Sequence, residues 1–316
     1  TLSERPQTAD RTTANRRGKV VGRRIPSETD EDDLAELMVG REVQLTVDRG
    51  ESSPAEVILQ VDGLRAEDDR GNETLRGMSL EVRAGEIVGI AGVAGNGQDE
   101  LVETIAGLRK ATSGTIRLEG EDVTGATPRQ MTDSGYAYVP ADRQRFGLVL
   151  GFPISDNLVL SSYHREPFSR RGLWDQSAVE AAGAELIEEF DVRTTSAAAA
   201  AATRSGGNQQ NVLVAREFSR DLRLLVLDQP TRGLDVGSIE TIHRLIIAKR
   251  DAGTAVLLVS AELDEVLELA DRIAVMYRGE VVAVLDGRTA DRNEVGLLMA
   301  TGRRSGAGSA NEAGVA

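Results

Sequence analysis

The stretch GIAGVAGNGQDELVETIAGL, Gly89–Leu108, decides the fold. A short apolar run leads into closely spaced glycines, and from Asp99 to Ala106 apolar residues recur at helical spacing. Strand, glycine turn and helix in that order make the rhythm of a phosphate-binding loop, in which backbone N–H groups and a helix N-terminus converge on an anion. A complete loop of this kind has glycines five positions apart, then Lys and a hydroxyl residue. Gly92 and Gly97 keep the spacing, but Gln98 and Asp99 stand where the Lys and hydroxyl belong. The dinucleotide fingerprint fits poorly, because its close glycine pair comes first and here Gly95 and Gly97 come last. Taken alone, the loop is either a phosphate site or a turn kept for packing.

The 316 residues are 40% apolar, enough for a sizeable core, yet only 3% aromatic. Such a core is built from Leu, Val, Ile and Ala, as in proteins with buried parallel strands. A net charge of −14 argues against a broad nucleic-acid footprint. With no Cys, disulfides, thiol catalysis and Cys-bound zinc are excluded. The two histidines, His164 and His243, lie far apart and read as ordinary surface or packing residues. No apolar run approaches the roughly 18 residues of a membrane span, and the polar first residues lack a signal core, so a cytoplasmic protein is expected. The chain opens without Met, which leaves open a processed product or a fragment.

A repeat sets the organisation. Ala9–Gly22 (ADRTTANRRGKVVG) aligns with Ala270–Ala283 (ADRIAVMYRGEVVA), and the same offset of 261 places Leu37-Met38 on Leu298-Met299 without a gap. A period this long is a whole domain. Residues 1–42 read as the tail of a first copy, 43–55 as a polar linker and 56–302 as a complete second copy. Residues 303–316, small and polar, read as a disordered tail.

Through the second copy strands alternate with helices, which predicts α/β architecture with a mainly parallel sheet. Expected strands are Glu56–Val61, Met78–Val82, Ile87–Ala91, Thr115–Leu118, Tyr136–Val139, Leu224–Leu227 and Ala255–Val259. Expected helices are Asp99–Ala106, Ser177–Phe190, Asn211–Phe218, Ser238–Arg250 and Leu263–Ala270. From about 141 to 219 helical signals dominate, as in an inserted helical subdomain. Two further motifs carry chemistry. LLVLDQPTRGLD, Leu224–Asp235, is an apolar strand ending in Asp228, where a phosphate-loop ATPase holds Mg²⁺; apolar strands ending in Asp are also common without function. Ser205–Gln210 (SGGNQQ) sets two glycines after a serine ahead of a helix, either a second anion-binding turn or a plain helix start.

In this order and spacing, the motifs resemble the ATP-binding-cassette (ABC) ATPases, and within them the tandem two-cassette subunits of bacterial importers for simple sugars and nucleosides. The residues that carry the resemblance are Leu37–Val43, Gly85–Leu101, Tyr138–Leu160, Ser205–Phe218, Gln229–Gly237 and Leu269–Val282. It implies a P-loop NTPase core with a parallel sheet, an antiparallel β subdomain and an inserted helical subdomain. It makes Gly92–Asp99 the Walker A loop, with Gly92, Gly95, Asn96, Gly97, Gln98 and Asp99 as nucleotide-binding positions. Asp228 takes the Walker B position toward Mg²⁺, and Gln229 that of the catalytic glutamate. Ala261 takes the place of the switch histidine, and Ala141 a position usually filled by Gln or Glu. Ser205, Gly206, Gly207, Asn208 and Gln209 form the signature loop, and Asp235 ends the D-loop. Arg204 and Asn211 depart from the family's usual Leu and Lys, and Arg204 bears on how the signature packs.

The implied role is the energy-coupling ATPase subunit of an importer, with ATP and Mg²⁺ as cofactors. Its partners would be two membrane-spanning permease subunits, a periplasmic or lipoprotein solute-binding protein and a first cassette, with no nucleic acid. It would sit in the cytoplasm, peripheral on the inner face of the cell membrane. The segment after Ala141, through Asp142, Arg143 and Phe152, would face the permease. Two alternatives stay open: a non-catalytic scaffold or regulatory remnant, and a soluble cassette ATPase acting on ribosomes or DNA. With the Lys, the hydroxyl, the glutamate and the switch histidine all missing, this cassette's own site is expected to be weak or inactive. Its signature loop would instead complete the ATP site of the other cassette.

Overall fold

A computed structural model describes residues 11–16, 19–25, 29, 36–37 and 47–303. Most of the 1–42 segment, the Leu37–Val43 stretch beyond Leu37, the start of the 43–55 linker and the 303–316 tail beyond Arg303 lie outside the described residues.

The first elements are a hairpin, β1 (Thr12–Arg16) and β2 (Lys19–Arg24). An antiparallel sheet follows, made of β3 (Val57–Glu67), β4 (Glu73–Arg83), β6 (Ser113–Leu118) and the short β7 (Glu121–Asp122), in the order β4-β3-β6-β7. β5 (Ile87–Ala91) and α1 (Gln98–Ile105) lie between β4 and β6 in sequence. After α2 (Pro128–Asp133) comes β8 (Tyr136–Val139). The helical region holds α3 (Ile154–Leu158), a minimal hairpin of β9 (Ser169–Arg170) and β10 (Leu173–Trp174), α4 (Gln176–Glu189) and α5 (Gly206–Phe218). The rest alternates: β11 (Leu224–Asp228), α6 (Val236–Asp251), β12 (Ala255–Val259), α7 (Leu263–Leu269), β13 (Arg272–Tyr277), β14 (Glu280–Asp286) and α8 (Arg292–Thr301).

The main sheet has six strands in the order β14-β13-β5-β12-β11-β8. Five are parallel, and β14 pairs antiparallel at the edge. Its central strands are buried on both faces, which is why they are continuous apolar runs rather than alternating ones. Side-chain alternation still divides them between two cores. Leu225 and Leu227 of β11 and Val256 and Leu258 of β12 meet the helices α5, α6 and α7. Leu224, Val226, Ala255 and Leu257 meet α1 and the antiparallel sheet. Each fully buried Leu or Val stabilises the fold by about 1.5–3 kcal/mol. α7 lies so close on β5 that a Cβ at Gly89 would be 2.7 Å from a Val266 methyl, so only glycine fits there.

The strands β3 and β4 run longer than their apolar patterns predict, because antiparallel pairing continues into polar residues such as Asp62 and Glu73. The β1–β2 hairpin matches β13–β14 in detail. Ala14 pairs with Gly22 and Asn15 with Val20, across a bulge; Val275 pairs with Ala283 and Met276 with Val281, across the equivalent bulge. Residues 47–55, in the segment expected to be a linker, are coil, yet they are bound to the body of the fold. Val47 N–H donates to Glu268 at 2.8 Å, Arg49 donates to the Ala270 and Gly287 carbonyls, and the buried Arg250 donates to the Arg49 carbonyl. Arg250 also pairs with Asp251 at 2.7 Å and Asp271 at 3.3 Å, so its buried charge is compensated.

Candidate functional site

The glycine loop sits between the C-terminal end of β5 and the start of α1, as its sequence order requires. Gly97 caps α1 with φ of 104°, and a Cβ there would be 2.8 Å from the Thr74 carbonyl, so glycine is obligatory. Gln98 is 7% exposed and folds back onto the loop. Its Nε2 donates to the Val93 carbonyl at 3.1 Å, and its Oε1 accepts the Asn96 N–H, also at 3.1 Å. The Asn96 side chain accepts from Arg278 N–H at 3.0 Å, and the Asn96 carbonyl accepts from Gly279 N–H at 3.0 Å. The loop is thus closed by neutral hydrogen bonds of its own chain, with an amide lodged against Gly92 where the motif calls for an ammonium.

Next to it opens a cleft of 1190 Å³ whose lining includes Asp99, Glu103, Tyr138, Ala141, Asp228, Gln229, Asp235 and Ala261. It brings together six of the positions singled out in the sequence. Gly92, Gly95, Asn96, Gly97, Gln98 and residues 205–209 do not line it. Asp99 and Glu103 are one helical turn apart and share a face of α1. Glu103 is paired with Arg109 at 2.7 Å, and Arg109 also pairs with Asp69 at 2.9 Å. Burial and the charge of Asp99 push the Asp228 carboxyl up to about 7, against hydrogen bonds from Ala141 N–H and the Tyr138 hydroxyl that favour its charge. Burial, then Asp99, likewise holds the Glu100 carboxyl above its usual range. Asp228 Oδ1 is buried with no partner among the described residues. Nor do those residues contain a group of three or more metal-ligating side chains. The carboxylates a cation would meet there are Asp228 and Asp99, and the first turn of α1 has no hydroxyl to replace the missing Ser or Thr; the Thr104 hydroxyl, further along, donates to the Glu100 carbonyl at 2.5 Å.

Gln229 adopts φ of 52°, which costs a non-glycine residue about 1–3 kcal/mol. Its backbone N–H donates to the Val259 carbonyl at 2.8 Å and its side-chain Oε1 accepts the Ala261 N–H at 3.0 Å. Gln229 and Ala261 thus satisfy each other, holding the end of β11 against the end of β12.

The sequence places both signature glycines ahead of a helix starting at Asn211. Instead they are its first turn: α5 begins at Gly206 with Ser205 as N-cap, its side chain accepting from Asn208 N–H. The glycines are helical because the serine cap supplies the acceptor that starts the helix one turn earlier. Arg204 does not disturb this packing; its guanidinium folds back on the Thr203 hydroxyl at 2.9 and 3.1 Å. Gln209 donates to the Ala201 carbonyl, and Gln210 to the Pro230 carbonyl at 2.8 Å, tying α5 to the turn after Asp228.

His243 is the residue the sequence reading undervalued. It lies on α6, 4% exposed, with Nε2 3.0 Å from Glu265 and Nδ1 3.8 Å from Glu268, both on α7. Thr231 donates to Glu265 at 2.8 Å. Burial opposes the imidazolium, but the bonds to Glu265 and Glu268 prevail and carry its pKa up to about 9. The signal was faint: a lone His among apolar helix positions, with Glu265 and Glu268 spaced to share a helix face. A raised folded pKa stabilises fully below the unfolded value near 6.5 and is lost as pH rises through 9. Thermal unfolding should therefore show a midpoint falling by several degrees between pH 6.5 and 9, and His243→Gln should flatten that slope. An unchanged slope in the variant would show that the imidazole is not charged in the folded chain.

Residues 75–232, half of the chain, match the family described as ABC transporter. The chain is 46% identical over 302 residues to the guanosine import ATP-binding protein NupO of Bacillus subtilis, covering 96% of this chain and 59% of that protein. It is 44% identical over 301 residues to the nucleoside import ATP-binding protein NupA of Lactococcus lactis, covering 95% and 60%. A glucose import ATP-binding protein of Haloferax volcanii is 45% identical over 303 residues, covering 95% and 55%. The chain thus spans less than two thirds of these relatives. Among solved structures, a nucleotide-free cassette of an ABC transporter superposes with TM-score 0.62 at 22% identity, over 74% of this chain and 92% of that one. A dimeric bacterial ABC transporter cassette superposes with TM-score 0.62 at 22% identity, over 74% and 100%. At this identity these structures establish the fold.

Proposed function

From the premise that the chain belongs to the ABC transporter ATP-binding family, we propose that it is the second, degenerate cassette of an importer ATPase and acts mainly on a nucleotide held by a first cassette. The observation that carries the reading is a contrast between two loops. The chain's own glycine loop is closed by Gln98 and faces the carboxyls of Asp99 and Asp228. Its signature loop is fully formed at the start of a long helix, with space beside Gly207: apart from its chain neighbours and its own helix backbone, no atom among the described residues lies within 4 Å of where a Cβ would be.

Residues 56–302 form this cassette. Residues 1–42 are the end of the first, a reading supported by the shared register and bulge of the β1–β2 and β13–β14 hairpins. The own loop does not fit Mg-ATP, since neither an ammonium at position 98 nor a hydroxyl at 99 is present. The partner's loop would hold ATP and Mg²⁺, and Ser205, Gly206 and Gly207 would meet its terminal phosphate while Asp235 supports that site from the D-loop. Coupling runs to two permease chains at the inner membrane face, with a solute-binding protein outside. Exposed Phe146, Val149 and Phe152 cluster in the segment expected to meet them. The solute class is a nucleoside or simple sugar, and the names of the two relatives from Bacillus and Lactococcus favour a nucleoside.

Vanadate trapping in the assembled transporter tests the loop assignment. Irradiation after trapping with Mg-ATP should cleave this chain at Ser205–Gly207 and leave Gly92–Asp99 whole. Cleavage at Gly92–Asp99 alone would reverse the roles of the two loops.

A further inference from the structure

The two signature glycines do not share an environment. A Cβ at Gly206 would be 2.5 Å from Nη2 of Arg143, 3.5 Å from its Cζ and 3.9 Å from its Nε, so the guanidinium lies directly over that glycine. Nothing among the described residues comes as near to Gly207. The other arm of the same fork, Nη1, donates to the Arg232 carbonyl at 3.3 Å. Arg143 therefore touches the signature loop with one nitrogen and the start of the Arg232–Asp235 turn with the other. No carboxylate among the described residues pairs with it, and its Nε is buried without a partner. Neighbouring Asp142 is occupied in capping the Gln144 and Arg145 N–H groups.

The backbone that presents Arg143 is itself unusual. Arg143–Gly147 is a single π-helical turn, a rare form found often at functional sites. Three contacts hold this turn to α5. Gln144 Nε2 donates to Gln209 Oε1 at 3.0 Å, Arg216 Nη1 donates to the Gly147 carbonyl at 2.7 Å, and Gly147 lies against Leu213. The same segment ends in the exposed Phe146, Val149 and Phe152. An ion pair is not what fixes the guanidinium: one arm bonds the Arg232 carbonyl while the other packs over Gly206, a planar reach that a single-point ammonium does not reproduce.

We propose that Arg143 is a positioning residue that sets the signature loop at Gly206 in register with the Arg232–Asp235 turn, so that both reach the partner cassette's nucleotide together. This rests on the reading that the signature loop works on the partner's site. It also gives the first signature glycine a role: a side chain there would displace the Arg143 guanidinium from its place over the loop. The second is glycine because the partner approaches there.

The test is steady-state ATPase of the assembled transporter, with Ser205→Arg measured alongside. Arg143→Ala should lower kcat at least tenfold with KM for ATP within about twofold, because the nucleotide is held by the other cassette. Arg143→Lys should not rescue it. Gly206→Ala, which evicts the guanidinium, should reproduce the loss, and the double variant should be no worse than the poorer single one. Gly207→Ala should lose activity with an unchanged melting temperature. If Ser205→Arg abolishes turnover and Arg143→Ala stays within twofold, the positioning role is wrong and the trans reading stands. If Ser205→Arg leaves turnover intact, both fall. If Arg143→Ala proves unstable, the decision passes to Gly206→Ala and Arg143→Gln: multiplying losses in their combination reject the shared register, and equal losses support it.

Discussion

Ser205→Arg should cut the ATPase rate of the assembled transporter by more than 100-fold while this chain stays folded. Ser205 is exposed, and its hydroxyl accepts both from the Asn208 N–H, as N-cap of α5, and from the Asn208 side-chain amide at 3.3 Å. Losing a cap costs about 1 kcal/mol, which a buried six-stranded core tolerates. The functional cost is larger. The arginine would fill the open space beside Gly207 and stop the helix start from closing on a phosphate. Removing one preorganised donor at a transition-state anion lowers turnover by about 100- to 1000-fold, and on the proposed role of this loop the Gly206 and Gly207 N–H groups would be the donors displaced. Steady-state hydrolysis, with circular dichroism to confirm folding, reads the outcome. Hydrolysis retained within tenfold would mean that the signature loop of this chain does not act on the hydrolysed nucleotide.

Gln98→Lys combined with Asp99→Ser should raise the chain's own affinity for ATP by about 100-fold or more. The lysine restores a charge-assisted hydrogen bond of about 1.5–3 kcal/mol. Removing the Asp99 carboxylate relieves a repulsion of about 3 kcal/mol at roughly 5 Å and an effective dielectric near 20, before solvent screening. Several kcal/mol amount to two or more orders of magnitude in Kd. The lysine can keep the bond to the Val93 carbonyl that Gln98 now makes, while the Asn96 N–H is released to face an anion. Turnover should remain slow, because Gln229 and Ala261 are unchanged and bonded to each other. Calorimetric titration with and without magnesium measures the gain. A change of less than fivefold would place the defect in the geometry of the loop rather than in its missing charges.

Much of the site was legible because its parts are local. Gly97 must be glycine for the turn that starts α1, and Asp228 ends an apolar strand whose length limits it to one position. The fold class was legible because three motifs follow one another in a fixed order. What escaped was the choice of partner, made locally for Ser205 and Gln98 and over a longer span for His243. The helix start at Gly206 depended on Ser205 acting as a cap, which the glycines obscured. The Gln98 amide could equally have pointed to solvent; only the closed loop gives it the Val93 and Asn96 partners. His243 reads as a packing residue until α7 brings Glu265 and Glu268 against it.

The sequence by itself determined a parallel α/β core, its glycine turn and the absence of a cation and a hydroxyl in that turn, since periodicity, backbone dihedral needs and charge are properties of near neighbours. The tertiary structure alone decided that Gln98 closes the turn, that His243 sits between two carboxylates and that Arg143 bridges Gly206 and Arg232. The last two join residues that become neighbours only once the strand order and helix packing are set, whereas Gln98 meets partners two and five positions away whose backbone the closed turn orients; burial then turns each pairing into a requirement of the fold.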